Sequence, residues 1–130
     1  MQLPLAGFRV LTFENFGAGP FGSMYLADLG AEVVKIESRE QGGDATRAMG
    51  PYFLGENDSH FFQTFNLNKK SVTLNVKTAE GQQIFRQLAA TADAVLNNLR
   101  GQALTQGVAD AFAIGGFVPL STADWPGRLA

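Results

Sequence analysis

RVLTFENFGAGPFGSMYLADLGAEVVKIE, residues 9–37, decides the fold. Val10, Leu11 and Phe13 form a short apolar run, and a strand is expected at about 8–13. Gly17, Gly19 and Gly22 punctuate the turn that follows. Phe21–Leu29 reads as a helix, with Met24, Leu26, Ala27 and Leu29 on its apolar face and Pro20 suited to its first turn. Gly30 is placed for a left-handed C-terminal cap. A second strand, 32–36, is apolar at Val33, Val34 and Ile36, as expected where both sheet faces are covered. Such a strand–helix–strand unit places a ligand at the strand tips and the helix N-terminus.

Outward from this unit, residues 38–60 read as a long loop broken by Gly42-Gly43, Gly50-Pro51 and Gly55. Segments of that length are often functional or hide short helices. Phe61, Phe62 and Phe65 are read as core. Ser71–Val76 alternates, with Val72, Leu74 and Val76 on one face, and predicts a strand. Thr78 is a credible N-cap for a helix over 79–90, whose apolar face carries Ile84, Phe85, Leu88 and Ala89. Ala94-Val-Leu96 predicts a fourth strand. A short helix is conceivable over 101–111, and 114–130 has no place in the pattern. The order predicts an α/β, Rossmann-like, mostly parallel sheet with flanking helices, incomplete as it stands.

The 130 residues suit one domain. A net charge of −2 argues against nucleic acid as a partner, although a local basic patch can still hold a small anion. Without cysteine there is no disulfide, thiolate nucleophile or Cys-ligated metal, and the lone His60 cannot build a multi-His site, so no metal is expected. His60 is read as structural or loop-exposed. No signal peptide or membrane span is evident, and a cytoplasmic protein is the default. The aspartates are scattered and suggest no acid–base pair.

Two features could carry chemistry. Gly17-Ala-Gly19-Pro-Phe-Gly22 satisfies G-x-G-x-x-G, and Glu37 lies 20 residues after Gly17, where a dinucleotide fold places its ribose-binding acid. That supports an NAD-type half-domain, although Pro20 supplies no N–H to a pyrophosphate cradle. The second feature is the set Lys35, Arg39, Arg47, Lys69, Lys70 and Lys77: cations near strand ends can bind phosphates, against the alternative of a solvated surface.

Several stretches together resemble the N-terminal part of a family III CoA-transferase: PLAGFRVL, AGPFGSMYLADLGAEVVKIE, GGDATR, FNLNKKSVTLNVKTAEG and ADAVLNNLRG, over residues 3–101. The family includes formyl-CoA and carnitine CoA-transferases and the related α-methylacyl-CoA racemases. The resemblance implies a Rossmann-like large domain, an interlocked homodimer, and CoA or acyl-CoA as substrate rather than a tightly bound cofactor, with carboxylates as co-substrates. It implies CoA contacts at Asn15, Phe16, Gly17 and Ala18 in the turn, at Arg39, at Leu74 and Lys77, and at Asn98 and Leu99. Asn15 stands where the family often has His or Arg, and Asn97-Asn98-Leu99 replaces the common Glu-Asn-Phe. The family's nucleophilic Asp, which attacks the thioester, follows the matched region, so no catalytic residue is assigned and this chain alone is expected to be inactive. Residues 1–101 are accordingly read as one partial domain and 102–130 as a divergent tail. Residues 114–130 resemble the opening of radical-SAM activating enzymes for anaerobic ribonucleotide reductase, and a junction near 101–113 would join the two.

Overall fold

The computed structural model describes residues 2–98. The expected helix at 101–111, the tail and Leu99 lie outside them. Strand β1 (Arg9–Phe13), helix α1 (Ala18–Asp28) and β2 (Glu32–Glu37) form the expected unit. Two 3-10 turns (Arg39–Gln41 and Ala45–Ala48), a hairpin of β3 (Phe53–Gly55) and β4 (Asp58–Ser59), and α2 (His60–Asn66) follow. The chain continues through β5 (Lys70–Thr73), α3 (Ala79–Ala89) and β6 (Ala94–Asn97). The main sheet runs β5-β2-β1-β6, every pair parallel. The chain therefore winds outward from β1 through β2 to β5, then crosses back to place β6 on the other side of β1. All four strand C-termini share one edge, and the order reverses between β1 and β6.

Alternation along the strands gives each sheet face its own core. Leu11, Phe13 and Ile36 meet Phe85 of α3, with Phe13 and Phe85 edge to face at 5.1 Å. Leu74, Val76 and Leu88 pack around them. Val10 and Val33 on the opposite face meet Ala27 and Ala31. The α-helical cap residues behave as read: Gly30 is left-handed at φ 102°, and the Thr78 hydroxyl accepts from the Gly81 amide at 3.0 Å.

Three expectations need correction. The buried side of α1 is the small stripe Gly19, Ser23 and Ala27, while Phe21, Tyr25 and Leu29 face outward. Ile84 of α3 is likewise exposed. Residues 38–60 do hide short helices, as the length suggests, but Phe61–Phe65 are not simply core: they belong to a helix whose N-cap, the Ser59 hydroxyl, accepts from the Phe62 amide at 3.0 Å. Only Phe62 of these aromatics is buried. The expected strand at 71–76 stops at Thr73, although Leu74 and Val76 keep their core contacts. Among the described residues no helix is long and apolar enough to cross a membrane.

The start of α3 is packed so closely that one methyl group cannot be added. A Cβ on Gly81 would lie 1.8 Å from the Asn75 carbonyl oxygen, a backbone atom that no side-chain rotation can move. Intrinsic helix propensity favours Ala over Gly by about 1 kcal/mol. Gly81→Ala is nevertheless expected to lower stability by about 2 kcal/mol or more, measured by urea unfolding, while Gln83→Ala on the exposed side of the same helix stays within about 0.5 kcal/mol. A Gly81→Ala chain as stable as the parent would contradict this packing.

Candidate functional site

The shared C-terminal edge of the parallel strands is where an open α/β sheet builds its ligand site, at the reversal of strand order. Here that point lies between β1 and β6, and it is closed by two asparagines. The Asn15 amide donates to the Asn98 side-chain oxygen at 2.9 Å, and the Asn98 side-chain nitrogen donates back to the Asn15 carbonyl at 2.9 Å. A Cβ on Gly19 would fall 2.6 Å from the Asn98 side chain, so glycine at this position is what lets β6 dock against the start of α1. Gly17 and Gly22 are different: a Cβ at either would meet nothing within 4 Å. The third glycine of a dinucleotide fingerprint serves close helix–strand packing. Gly22 is exposed and does not.

Phe16 follows Asn15 with φ 72°, in the left-handed region. That conformation costs a bulky residue about 1 kcal/mol or more and persists only where its surroundings hold it. Its amide is shared between the Asn15 side-chain oxygen at 3.0 Å and Asp44 Oδ1 at 3.3 Å. The Asn15 oxygen also accepts from the Ala45 amide at 3.0 Å, which ties residues 44–45 to the turn. Gly17 then caps α1 without a side-chain hydrogen bond, while Gly19 and Pro20 of the first turn are buried.

Beneath this turn lies a buried charge network. Lys35 is only 1% exposed. Its Nζ reaches Asp44 Oδ2 at 2.5 Å and Asn66 Oδ1 at 3.1 Å, with Glu14 Oε1 at 3.9 Å. Lys69 Nζ donates to Glu14 at 2.8 Å, to the Pro20 carbonyl at 2.7 Å and to Asn66 at 3.2 Å. Burial pushes the Lys69 ammonium down from its ordinary range, with Glu14 acting in opposition. Glu37 accepts from Arg47 through two bonds at 2.7 and 2.9 Å, from the Ser71 hydroxyl at 2.8 Å and from the Asp44 amide at 2.9 Å. The Arg47 guanidinium also covers the Phe62 ring at 3.7 Å. Burial would push the Glu37 carboxyl up, but these donors outweigh it and hold it at about 2. Burial opposes ionisation of Asp44 too, and Lys35 with the Thr46 donors still holds its carboxyl below the usual range.

These contacts sort the residues singled out from the sequence. The turn residues Asn15, Phe16, Gly17 and Ala18 stand together with Asn98. Arg39 lies in the 3-10 turn that follows β2, and Lys77 in the connection from β5 to α3. Their side chains are exposed and carry no hydrogen bond or ion pair to any other described residue. Leu74 lies beside them, but its side chain packs into the core and its amide donates to the Glu37 carbonyl, so only its remaining backbone can face a ligand. Lys35, Arg47 and Lys69 are removed from the phosphate-binding set because their charges are spent internally, and Lys70 pairs with Glu32. The surface reading fails for the first three as well. Glu37 has no free lone pair aimed at a ribose. His60 contacts the Tyr52 carbonyl through Nδ1 at 3.0 Å and packs edge-on to the Tyr52 ring, a structural role. Among the described residues no cluster of three or more metal-ligating side chains occurs.

Comparison with known proteins gives the family. The sequence model of CoA-transferase family III matches residues 5–110. Over 95 residues, or 73% of this chain and 21% of the relative, the sequence is 44% identical to human succinyl-CoA:glutarate CoA-transferase. It is 41% identical over 108 residues to succinate–glutarate CoA-transferase of Agrobacterium fabrum, covering 79% of this chain and 27% of that one. A crystal structure of a CaiB/BaiF family protein from Brucella suis superposes with a TM-score of 0.76 at 36% identity, over 88% of this chain and 31% of that one. The chain thus spans between a fifth and just over a quarter of the curated relatives' length.

The charge network carries a pH signature. Glu37 ionises near 4.5 when unfolded and near 2 when folded, so its stabilisation is complete above about pH 4.5 and lost as pH falls toward 2. The drop corresponds to about 3 kcal/mol at most. Urea unfolding between about pH 7 and pH 2 is expected to show this acid loss, and Glu37→Gln is expected to be less stable at pH 7 with a flatter acid limb. An acid limb unchanged by Glu37→Gln would remove Glu37 from the account.

Proposed function

This chain belongs to CoA-transferase family III, and from that premise we propose that it forms the CoA-binding N-terminal portion of an enzyme that moves CoA between carboxylic acids. The observation that carries the reading is the pair of uncommitted cations, Arg39 and Lys77, in the connections that follow the C-terminal ends of β2 and β5. CoA is an extended molecule with an anionic nucleotide end and a neutral pantetheine arm. Arg39 and Lys77 would take its phosphate oxygens in charge-assisted hydrogen bonds. The turn Asn15–Ala18 and Asn98 lie one and two strand spacings away from β2, roughly 5 and 10 Å along the edge, and would hold the arm. Leu74 and Leu99 complete the proposed contact set. CoA acts here as substrate, and residues 1–98 bind and orient it; none is proposed to attack the thioester.

The human relative carries succinyl-CoA and glutarate in its name, and the Agrobacterium fabrum one succinate and glutarate. An acyl-CoA and a carboxylate are therefore proposed as the substrates of the whole protein, with residues 1–101 as part of its larger domain, 102–130 as a separate tail, and the cytoplasm as its location. Homodimer formation is proposed with it. Support comes from an aromatic strip in which exposed Phe16, Phe21 and Tyr25 are linked through half-buried Phe61 and Phe65: Phe16 meets Phe61, Phe61 meets Phe65, Phe65 meets Phe21 and Phe21 meets Tyr25, at centroid distances of 5.0–5.9 Å. Apolar surface of this kind marks a face that packs against further protein.

Calorimetric titration of the chain with CoA and with NAD tests the reading. CoA is expected to bind in preference, with Arg39→Ala and Lys77→Ala each weakening it about tenfold, an effect that shrinks at high salt. Preferential NAD binding, or CoA binding indifferent to both substitutions, would overturn it.

A further inference from the structure

Phe16 holds a left-handed backbone at the tip of β1 although it is not glycine. The group that reaches it from outside its own turn is Asp44, 28 residues away. Asp44 is 2% exposed, and both of its oxygens are committed. Oδ2 takes the Lys35 ammonium at 2.5 Å. Oδ1 takes the Thr46 amide at 3.0 Å, the Thr46 hydroxyl at 2.8 Å and the Phe16 amide at 3.3 Å. Its own amide donates to Glu37, whose carboxylate is in turn fixed by Arg47 and Ser71. The carboxylate therefore has no freedom to rotate. Its charge is balanced from within the sheet, and its one outward-directed bond falls on the peptide that sets the direction of Gly17 and the start of α1.

We propose that Asp44 is a positioning residue for CoA: locked by Lys35 and Glu37, it holds the Phe16 peptide left-handed and so aims the turn and the α1 N-terminus at the ligand. The proposal rests on the CoA reading above. It differs from a purely structural role for Asp44 in one respect. If the carboxylate matters because Phe16 is forced left-handed, a residue that adopts this conformation freely should no longer need it. Glycine is that residue.

The experiment is a double-mutant cycle on the full chain. Lys35→Met/Asp44→Leu replaces the buried pair with apolar groups, a change that commonly preserves folding. Lys69 and Ser23 still satisfy Glu14, and Lys69 still satisfies Asn66. This variant is expected to lose CoA affinity at least tenfold and to exchange its Phe16 amide hydrogen at least tenfold faster than the parent. Adding Phe16→Gly is expected to recover most of the affinity lost through the pair, relative to Phe16→Gly alone. Lys35→Met/Asp44→Asn removes the charge pair together but keeps an acceptor oxygen, and is expected to give the same ordering with a loss of about threefold, so the cycle stands even where the first double variant does not fold. Parent-like affinity and Phe16 exchange in the altered chains, or strict additivity with Phe16→Gly, would overturn the proposal. A parent chain that binds no CoA would instead sink the CoA reading, and Phe16 exchange would still report whether Asp44 holds the turn.

Discussion

An ammonium group enclosed between the sheet and the loop above it sets terms for the rest of this structure. Lys35 projects from the middle of β2 onto the α1 face, where water does not reach it. An isolated charge there would cost several kcal/mol, so partners must be delivered to it. They come from separate parts of the chain: Asp44 from the long connection after β2, Asn66 from α2, and Glu14, further off, from the end of β1. Satisfying one charge thus ties three segments to the sheet. Lys69 and Arg47 bring in Glu14 and Glu37 on the same terms. The cluster holds three cations and three anions and closes electrically on itself.

This neutrality has a consequence for the surface. Six basic residues lie near the strand ends, and the buried network consumes three of them. A fourth, Lys70, sits on Glu32. What remains uncommitted, Arg39 and Lys77, is the residue of an internal accounting rather than a patch assembled at random. The connection over residues 38–60 looks excessive for joining two strands, yet it delivers Asp44, Arg47 and Ser59 to their buried partners. Ser59 ends it by capping α2 and donating to the Thr46 carbonyl at 2.5 Å. Its length is the distance the chain must travel to neutralise β2.

The elements legible in the sequence are those whose signals are local. The β1–α1–β2 unit, the left-handed Gly30 and the Thr78 cap each depend on residues a few positions apart. The α3 boundaries follow from a cap and a periodic face in the same way. Helix α2 escaped notice because seven residues give less than two full turns of periodicity, although Ser59 before Phe61, Phe62 and Phe65 was an available cap signal. On α1 the expected apolar face holds at Ala27 and Leu26 but fails at Leu29, which is exposed; the small Gly19, Ser23 and Ala27 stripe, spaced by four, is the better guide to the buried side. The charge network depends on contacts across 9 to 55 residues and could not be drawn from local pattern. One clue was present. Lys35 and Glu37 alternate with apolar residues in a strand expected to be covered on both faces, and a covered strand cannot leave such charges unpaired. At the site, the sequence pattern puts the turn positions after β1, Arg39 after β2 and Lys77 after β5, whereas the side chain of Leu74 is spent on the core.

The glycine-rich turn shows why a motif must be read through its contacts. G-x-G-x-x-G, with an acid 20 residues on, is present letter for letter. In a dinucleotide fold each glycine answers a steric demand of the pyrophosphate or of the sheet, and the acid waits with free lone pairs. Here the middle glycine makes room for Asn98, the third opens to solvent, and Glu37 is saturated by Arg47, Ser71 and a backbone amide. The letters coincide while the forces differ. What distinguishes this turn is therefore not its glycines but the two cations the network leaves over and one strained peptide, Phe16, that Asp44 reaches from below.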